Sequence, residues 1–340
     1  MPACSKRDYR LCVRVTPARD FRYTMPRELT NLSSYRTLIA RSRGDWLLRF
    51  LAGGRILAFP SKLKRLWSLD LLKPYLCGQE KRDTFFYLTH EFYLSKCFTL
   101  AQRIDCAVTH YSFERQNCGA AYHRAVYRSV RGLALWQRTV EGTHYAITLR
   151  ATEDLRYEGD LSVLCWVDDV RVSRISFSYV PGSLFALPQQ RIIFVTRNQT
   201  DRNAQLQLFR SAFRHNSPPY FCLAAIWGIA MANGMRDLLM IKEVAQIAYS
   251  DRYAVGFRNS YSAFWEGLGA REIPNRNAYH LSIPLSLTPV SHVKHKNRAI
   301  ARRHNWLEIA TSARRAILEN RTDTVPAAIA DEPGALLPRD

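Results

Sequence analysis

Glu158 stands before Gly159 at the start of an expected strand, a place from which a carboxylate can act as general base or hold a substrate amine. His280, next to Tyr279 in the last expected strand, is placed to protonate a leaving group. The plainer alternatives are a surface acid at a turn and a half-buried strand histidine. Lys294, Lys296, Arg298, Arg302 and Arg303 put five cations in ten residues, with His292, His295 and His304 interleaved. They sit on one side of an expected helix whose other side carries Val290, Val293, Ile300, Trp306 and Leu307. Such a block is either a solvated basic face or a landing patch for acidic phospholipid, lipid A phosphates, a carrier protein or nucleic acid.

Metal chemistry is not expected. The nine histidines form no HxxxH or HExxH pair, and the eight cysteines (Cys4, Cys12, Cys77, Cys97, Cys106, Cys118, Cys165, Cys222) form no CxxC pair. Scattered thiols of this kind fit a reducing compartment, and Cys165 and Cys222, inside apolar runs, read as inert. Lys6, Arg7, Arg10, Arg14, Arg19 and Arg22 interrupt any apolar stretch near the N-terminus, so a secretory signal is not expected and a cytoplasmic protein is. The longest apolar run, Tyr220 to Ala232, is too short to span a bilayer and reads as a buried helix.

The chain has 340 residues, 47% of them hydrophobic, enough for one large core or two smaller ones. Its 49 Lys plus Arg against 29 Asp plus Glu leave a net +20, which favours anionic partners. Residues 1 to 83 hold 18 of those cations and 7 acids, a net +11, so the excess is concentrated. Phe85-Phe86-Tyr87 and Tyr220-Phe221 read as core, and no nucleic-acid module is recognisable, so specific DNA recognition is not expected.

The elements that must hold these residues follow from apolar period and breakers. Residues 1–28 read as a basic irregular arm and 29–118 as a helical region. Its longest helix starts at Asp83, with Phe85, Leu88, Phe92, Tyr93, Cys97, Leu100 and Ile104 at helical spacing. Residues 119–287 read as an α/β core. A short helix (122–130) precedes strands at Leu133 to Trp136, Tyr145 to Leu149, Leu161 to Val167 and Val170 to Tyr179, the last two joined tightly at Asp168-Asp169. A strand at Arg191 to Thr196 leads to helices from Asn203 to His215 and from Pro218 to Asn233-Gly234. A strand at Leu238 to Ile241, a helix at Ser262 to Leu268 and a strand at Tyr279 to Ile283 complete the core. A long basic helix spans 288–320, and 321–340 read as a mobile tail.

The order hairpin, strand, helix, helix, strand, helix, strand over residues 155 to 285 resembles the GNAT acyltransferase fold. So do Ala225 to Ile241, with the closing Asn233-Gly234-Met235, and the run from Ala263 to Glu272 followed by Tyr279-His280-Leu281-Ser282-Ile283. The resemblance implies two central strands that splay to pair with the pantetheine arm of an acyl-CoA or carrier-bound donor, and a helix N-terminus that holds its pyrophosphate. It places Arg197, Gln199, Arg202 and Asn203 at the phosphate loop, where Arg202 stands in place of the usual glycine. Trp265 occupies the position of the acid tyrosine.

A longer span, from about 85 to 318, resembles the bacterial VirK/YbjX family, catalogued as a domain of unknown function. The carrying features are Tyr157-Glu158-Gly159-Asp160-Leu161, Ser176-Phe177-Ser178-Tyr179, Phe264-Trp265-Glu266 and the basic block from Val293 to Arg303. The family's usual Leu-Gln-Gly and Gly-Leu-Arg-Pro elements are not reproduced at Val195 to Gln199 and Asn216 to Tyr220. The resemblance implies a cytoplasmic or inner-membrane-associated protein linked to virulence, envelope integrity and antimicrobial-peptide resistance.

The expectation is an α+β protein: an N-terminal helical region, then a GNAT-like mixed, mostly antiparallel sheet flanked by helices, then a long C-terminal helix. Three functions stay open. The first is an acyl- or aminoacyltransferase acting on an envelope lipid or peptide, with acyl carrier protein or aminoacyl-tRNA as donor partner. The second is a non-catalytic factor on an anionic membrane surface, and the third a nucleic-acid binder.

Overall fold

A computed structural model describes residues 60–67, 92–152, 156–284 and 296–321. The β-branched and aromatic runs become eight strands: β1 (Leu133–Val140), β2 (Thr143–Ala151), β3 (Leu161–Val167), β4 (Val170–Val180), β5 (Ile192–Thr200), β6 (Asp237–Ile241), β7 (Arg271–Ile273) and β8 (Ala278–Ser282). They form one sheet in the order β1-β2-β3-β4-β5-β6-β8-β7. Only β5 and β6 run parallel; the other neighbours are antiparallel. The β3–β4 hairpin closes at Asp168-Asp169, with Asp168 at φ 52°, the left-handed backbone that two-residue hairpin loops use.

Eight helices accompany the sheet among the described residues: α1 (Pro60–Trp67), α2 (Leu100–Asn117), α3 (Ala120–Arg128), α4 (Gln205–Ala212), α5 (Pro218–Ala232), α6 (Ala254–Ser260), α7 (Ser262–Glu266) and α8 (Lys296–Leu318). The molecule is therefore α+β, with a mostly antiparallel sheet and a long C-terminal helix. Proline at the first helical position opens α5, and Gly234 at φ 67° follows its end. Every residue of α5 except Tyr220 and Met231 is buried, as befits a helix covered on all sides. It lies between one face of the sheet and α8. The core continues without a break from Tyr93 on the N-terminal side of α2, through the sheet, to Ile317 of α8.

Two details differ from the sequence expectation. The helix expected from Asp83 to Ile104 is helical only from Leu100, and residues 83–91 lie outside the described ones. Thr99 and Gln102 form a capping box that starts α2 there, while Leu94 sits at φ 63° with its N–H bonded to the Tyr157 carbonyl. Local capping and a contact across the chain outweigh the apolar period. The short elements α6 and β7 were not expected. The basic helix is described from Lys296 onward, so Lys294, His292, His295, Val290 and Val293 lie outside the described residues, as do the 1–28 arm and the tail from 322.

The α5–α8 contact is closer than two side chains allow. A methyl at Gly228 would meet the Ala310 carbonyl oxygen at 2.2 Å and the Ala313 Cβ at 2.9 Å. Gly228→Ala is expected to lower unfolding free energy by about 1–3 kcal/mol or more, read from chemical denaturation, whereas the gain in helix propensity alone would raise it.

Candidate functional site

The two faces of the central sheet differ in chemistry. On β3, Leu161, Val163, Cys165 and Val167 alternate with Ser162, Leu164 and Trp166. The first set faces the helical side, where burial pushes the Cys165 thiol upward, with Cys222 of α5 adding to the rise, so both sulfurs are inert core. The second set shares its face with Thr148 and Arg150 of β2, Arg174, Ser176 and Ser178 of β4, and Arg197 and Gln199 of β5, by strand register. Hydroxyls run across this face: Thr152 Oγ1 to Ser162 Oγ is 2.7 Å, and Ser162 Oγ to Ser176 Oγ is 2.8 Å.

Tyr157-Glu158-Gly159-Asp160 feeds two carboxylates into this face. Gly159 has φ 137°, and a Cβ there would meet the Phe177 amide nitrogen at 2.9 Å, so only glycine lets the chain pass so close to β4. Glu158, 3% exposed, accepts a hydrogen bond from Gln246 Nε2 at 2.6 Å and pairs with Arg197 Nε at 3.2 Å. Asp160 accepts hydrogen bonds from Tyr93, from Tyr111 at 2.8 Å and from Ser178 at 2.6 Å. Arg197 also donates to Gln199, while its Nη1 is buried with no hydrogen-bond partner among the described residues.

Beside this pair the face opens into a shallow depression of about 80 Å³, lined by Arg150, Thr152, Ser162, Leu164, Trp166, Arg171 and Arg174 with Ala151. Arg171 is held by Asp201, with Nε to Oδ2 at 2.7 Å, and Trp166 Nε1 donates to Thr148 Oγ1 at 2.9 Å. Guanidinium groups converging on hydroxyls are suited to a phosphate-sized anion, since they offer forked donors to its oxygens.

The other expected residues are scattered. His280 Nε2 bonds Asp237 Oδ1 at 2.8 Å. In register it lies opposite Leu239, which pairs with Phe194, three residues before Arg197 and two strands away. That is roughly 14 Å from the Glu158 pair at usual strand spacings, so the two do not act together. The expected phosphate loop is corrected. Gln199 and Thr200 belong to β5, Arg202 is exposed, and Asn203 caps α4, its Oδ1 taking the Leu206 N–H at 3.1 Å and its Nδ2 donating to the Arg171 carbonyl at 2.8 Å. The Leu206 amide, in the first turn of α4, is thus used by the chain itself.

The basic helix is also corrected. Lys296 and Arg303 lie seven residues apart on one side of α8, Arg298 and Arg302 four apart on another. Ile300 is 52% exposed instead of packed, and Arg302 is half-buried with Nε enclosed. Trp306 is core, donating to Asn216 Oδ1 at 2.9 Å and stacking on Tyr220 at 5.2 Å.

The splayed strands are half present. β5 pairs with β6 only through Ile193, Phe194 and Val195, then continues along β4 to Thr200. The edge so released is filled: Tyr261 Oη accepts the Asn198 N–H at 3.3 Å, and Asn198 Nδ2 donates to the Ser260 carbonyl at 2.7 Å. Burial, with Glu158 nearby, drives the Tyr261 hydroxyl pKa up. Trp265 is fully enclosed and donates to the Ile241 carbonyl at 3.1 Å.

Sequence reading missed Arg150, Arg171, Arg174, Gln246 and Tyr261. A signal existed for the first and third: polar residues at every second position of Thr148 to Thr152 and of Arg174 to Ser178, inside otherwise apolar strands. Gln246 and Tyr261 carry none.

Fold and site together define an α+β protein whose mostly antiparallel sheet carries a buried ionic pair beside an arginine-lined depression. Residues 72–315 match the family described as a protein of unknown function (DUF535), usually called VirK/YbjX, and the chain belongs to that family. No curated protein and no solved structure matches the chain. No helix among the described residues is long and apolar enough to cross a membrane, and no cluster of three metal-ligating side chains occurs among them.

Two predictions follow from the buried charges. Glu158→Ala leaves Arg197 buried without its carboxylate and is expected to cost on the order of 3–5 kcal/mol in denaturant unfolding, with Arg197→Met in the same chain recovering part of the loss. Glu114 on α2 is fully buried and accepts hydrogen bonds from Tyr122, at 2.9 Å, and Tyr127, with His110 Nε2 at 3.4 Å. Burial pushes its carboxyl up, but His110 and the Tyr127 hydroxyl outweigh that and hold it below the ordinary 4.5. The folded value is thus the lower one, so its contribution is whole above the ordinary value and lost as pH falls through the depressed one. Melting temperatures recorded from neutral pH downward should fall less steeply between the ordinary value and the depressed one in Glu114→Gln than in the parent, although the variant starts lower.

Proposed function

We propose that this protein binds a phosphate-bearing ligand on the arginine-lined face of its sheet, as an envelope-directed binding protein of the VirK/YbjX family. The observation that carries the reading is the convergence of Arg150, Arg171 and Arg174 with Thr152 and Ser162 on one depression. Its small volume, about 80 Å³, suits no more than a phosphate group, with the ligand's remaining body extending outward. The chain's net +20 would gather such anions at long range.

A second reading is the GNAT-like transferase, in which an acyl donor lies along β5. What favours it is the parting of β5 from β6 after Val195 and Met240. Against it, Tyr261 and Ser260 occupy the freed edge, and the Leu206 and Gln207 amides in the first turn of α4 are spent on Asn203 and Ala204. Donor entry would require the α6–α7 junction to move.

Thermal-shift and calorimetric titrations with inorganic phosphate, phenyl phosphate and acetyl-CoA separate the readings. Both phosphates should raise the melting temperature, chloride at equal ionic strength should not, and Arg150→Gln should weaken phosphate at least tenfold. Thr152→Val, which removes no charge, should weaken it less. Equal binding by parent and Arg150→Gln would sink the arginine face. Binding of acetyl-CoA that Tyr261→Phe strengthens and Arg150→Gln leaves alone would establish the second reading instead.

A further inference from the structure

A different surface is built around α6. None of its residues is buried, yet it carries apolar side chains. Val255 is 77% exposed and Tyr253, which ends the preceding turn, is 50% exposed. Val244, at 43%, belongs to the short helical turn Glu243–Ala245 that touches α6. Three of the seven large apolar residues exposed among the described ones thus fall within residues 244–255. Scattered singly they would need no account; gathered on one projection they do.

The projection is held from behind. Phe257 packs on Tyr249, with ring centroids 5.5 Å apart, and stacks on Tyr261 at 5.8 Å. Tyr253 and Val255 are left to face outward, and the space around the Gly256 Cα is open. Two arginines stand on the rim. Arg252 lays its guanidinium 5.5 Å from the Tyr253 ring, and Arg252 and Arg258 are both exposed, near the exposed acid Asp251. Glu243 is bonded to Ser262, and Glu272 is paired with Lys242.

We propose that α6 and its preceding turn are an interfacial anchor that dips Tyr253 and Val255 into an anionic lipid surface. Three side chains are too few for a stable protein interface, which needs roughly 800 Å² from each partner. A bilayer needs only a short apolar tip with an amphipathic aromatic at headgroup depth and arginines beside anionic headgroups. The net +20 of the chain supplies the long-range attraction. This surface is separate from the arginine-lined depression, so either assignment stands without the other.

Flotation of the full chain with phosphatidylglycerol–phosphatidylcholine vesicles, and with phosphatidylcholine alone, tests the anchor. Binding should require the anionic lipid. Tyr253→Ser with Val255→Ser should lower partitioning at least fivefold, Val255→Trp should raise it, and Lys296→Gln with Arg298→Gln should change it less than twofold. Circular dichroism melts should leave these exposed variants folded. Partitioning that ignores the Tyr253 and Val255 changes, or that is lost only with the α8 changes, overturns the proposal. So does a lipid-free drop in sedimentation coefficient on Val255→Ser, which would make the projection a contact between copies of the chain.

Discussion

Two opposite charges, Glu158 and Arg197, are sealed beneath the sheet surface, and much of the architecture is arranged to make that tolerable. Removing both from water carries a desolvation penalty that only close pairing and further hydrogen bonds offset. Gln246 supplies one such bond to the carboxylate, and Gln199 takes one from the guanidinium. Gly159 lets the chain run against β4 so that Glu158 reaches Arg197 and Asp160 reaches Ser178 on the same face. Asp160 in turn fixes Tyr93 and Tyr111, tying the entry to α2 onto the same strand. A partly satisfied network of this kind would be worse than an apolar core, which makes the one enclosed Arg197 nitrogen the informative exception.

Strands were the most legible part of the chain. Leu161 to Val167 and Val170 to Val180 declare themselves by β-branched content and by an Asp-Asp turn with room for two residues. The buried helix from Pro218 was readable from proline at its start and Asn-Gly at its end. What failed was local. Residues 92–99 have helical spacing but are pulled into an irregular path by the Tyr93–Asp160 and Leu94–Tyr157 contacts, which no window of sequence contains. β7 is three residues long, too short to show a period.

The site was legible in its parts and not in its assembly. Glu158 and Arg197 both stood out, one as a base and the other as a phosphate ligand, but 39 positions apart nothing in the sequence says that they meet. His280 stood out too and turned out to serve Asp237 across β6. Arginines at alternate positions of a strand look like solvated edge residues, and only register reveals that Arg150 and Arg174 converge. The basic block on α8 shows the converse: a charge cluster plain in sequence is dispersed around the helix once its angular positions are fixed.

The near-complete enclosure of α5 has a consequence for how the chain is made. Its last residue, Ala232, leaves the ribosome well before Lys296, the first of the helix that covers Gly228. Residues 233–295 must emerge in between, which at ordinary elongation rates takes on the order of 3–13 s. For that interval a helix with scarcely a polar side chain has the sheet on one flank and nothing on the other. The nascent protein therefore passes through a stage, set by the order of segments along the chain, in which that apolar flank is exposed.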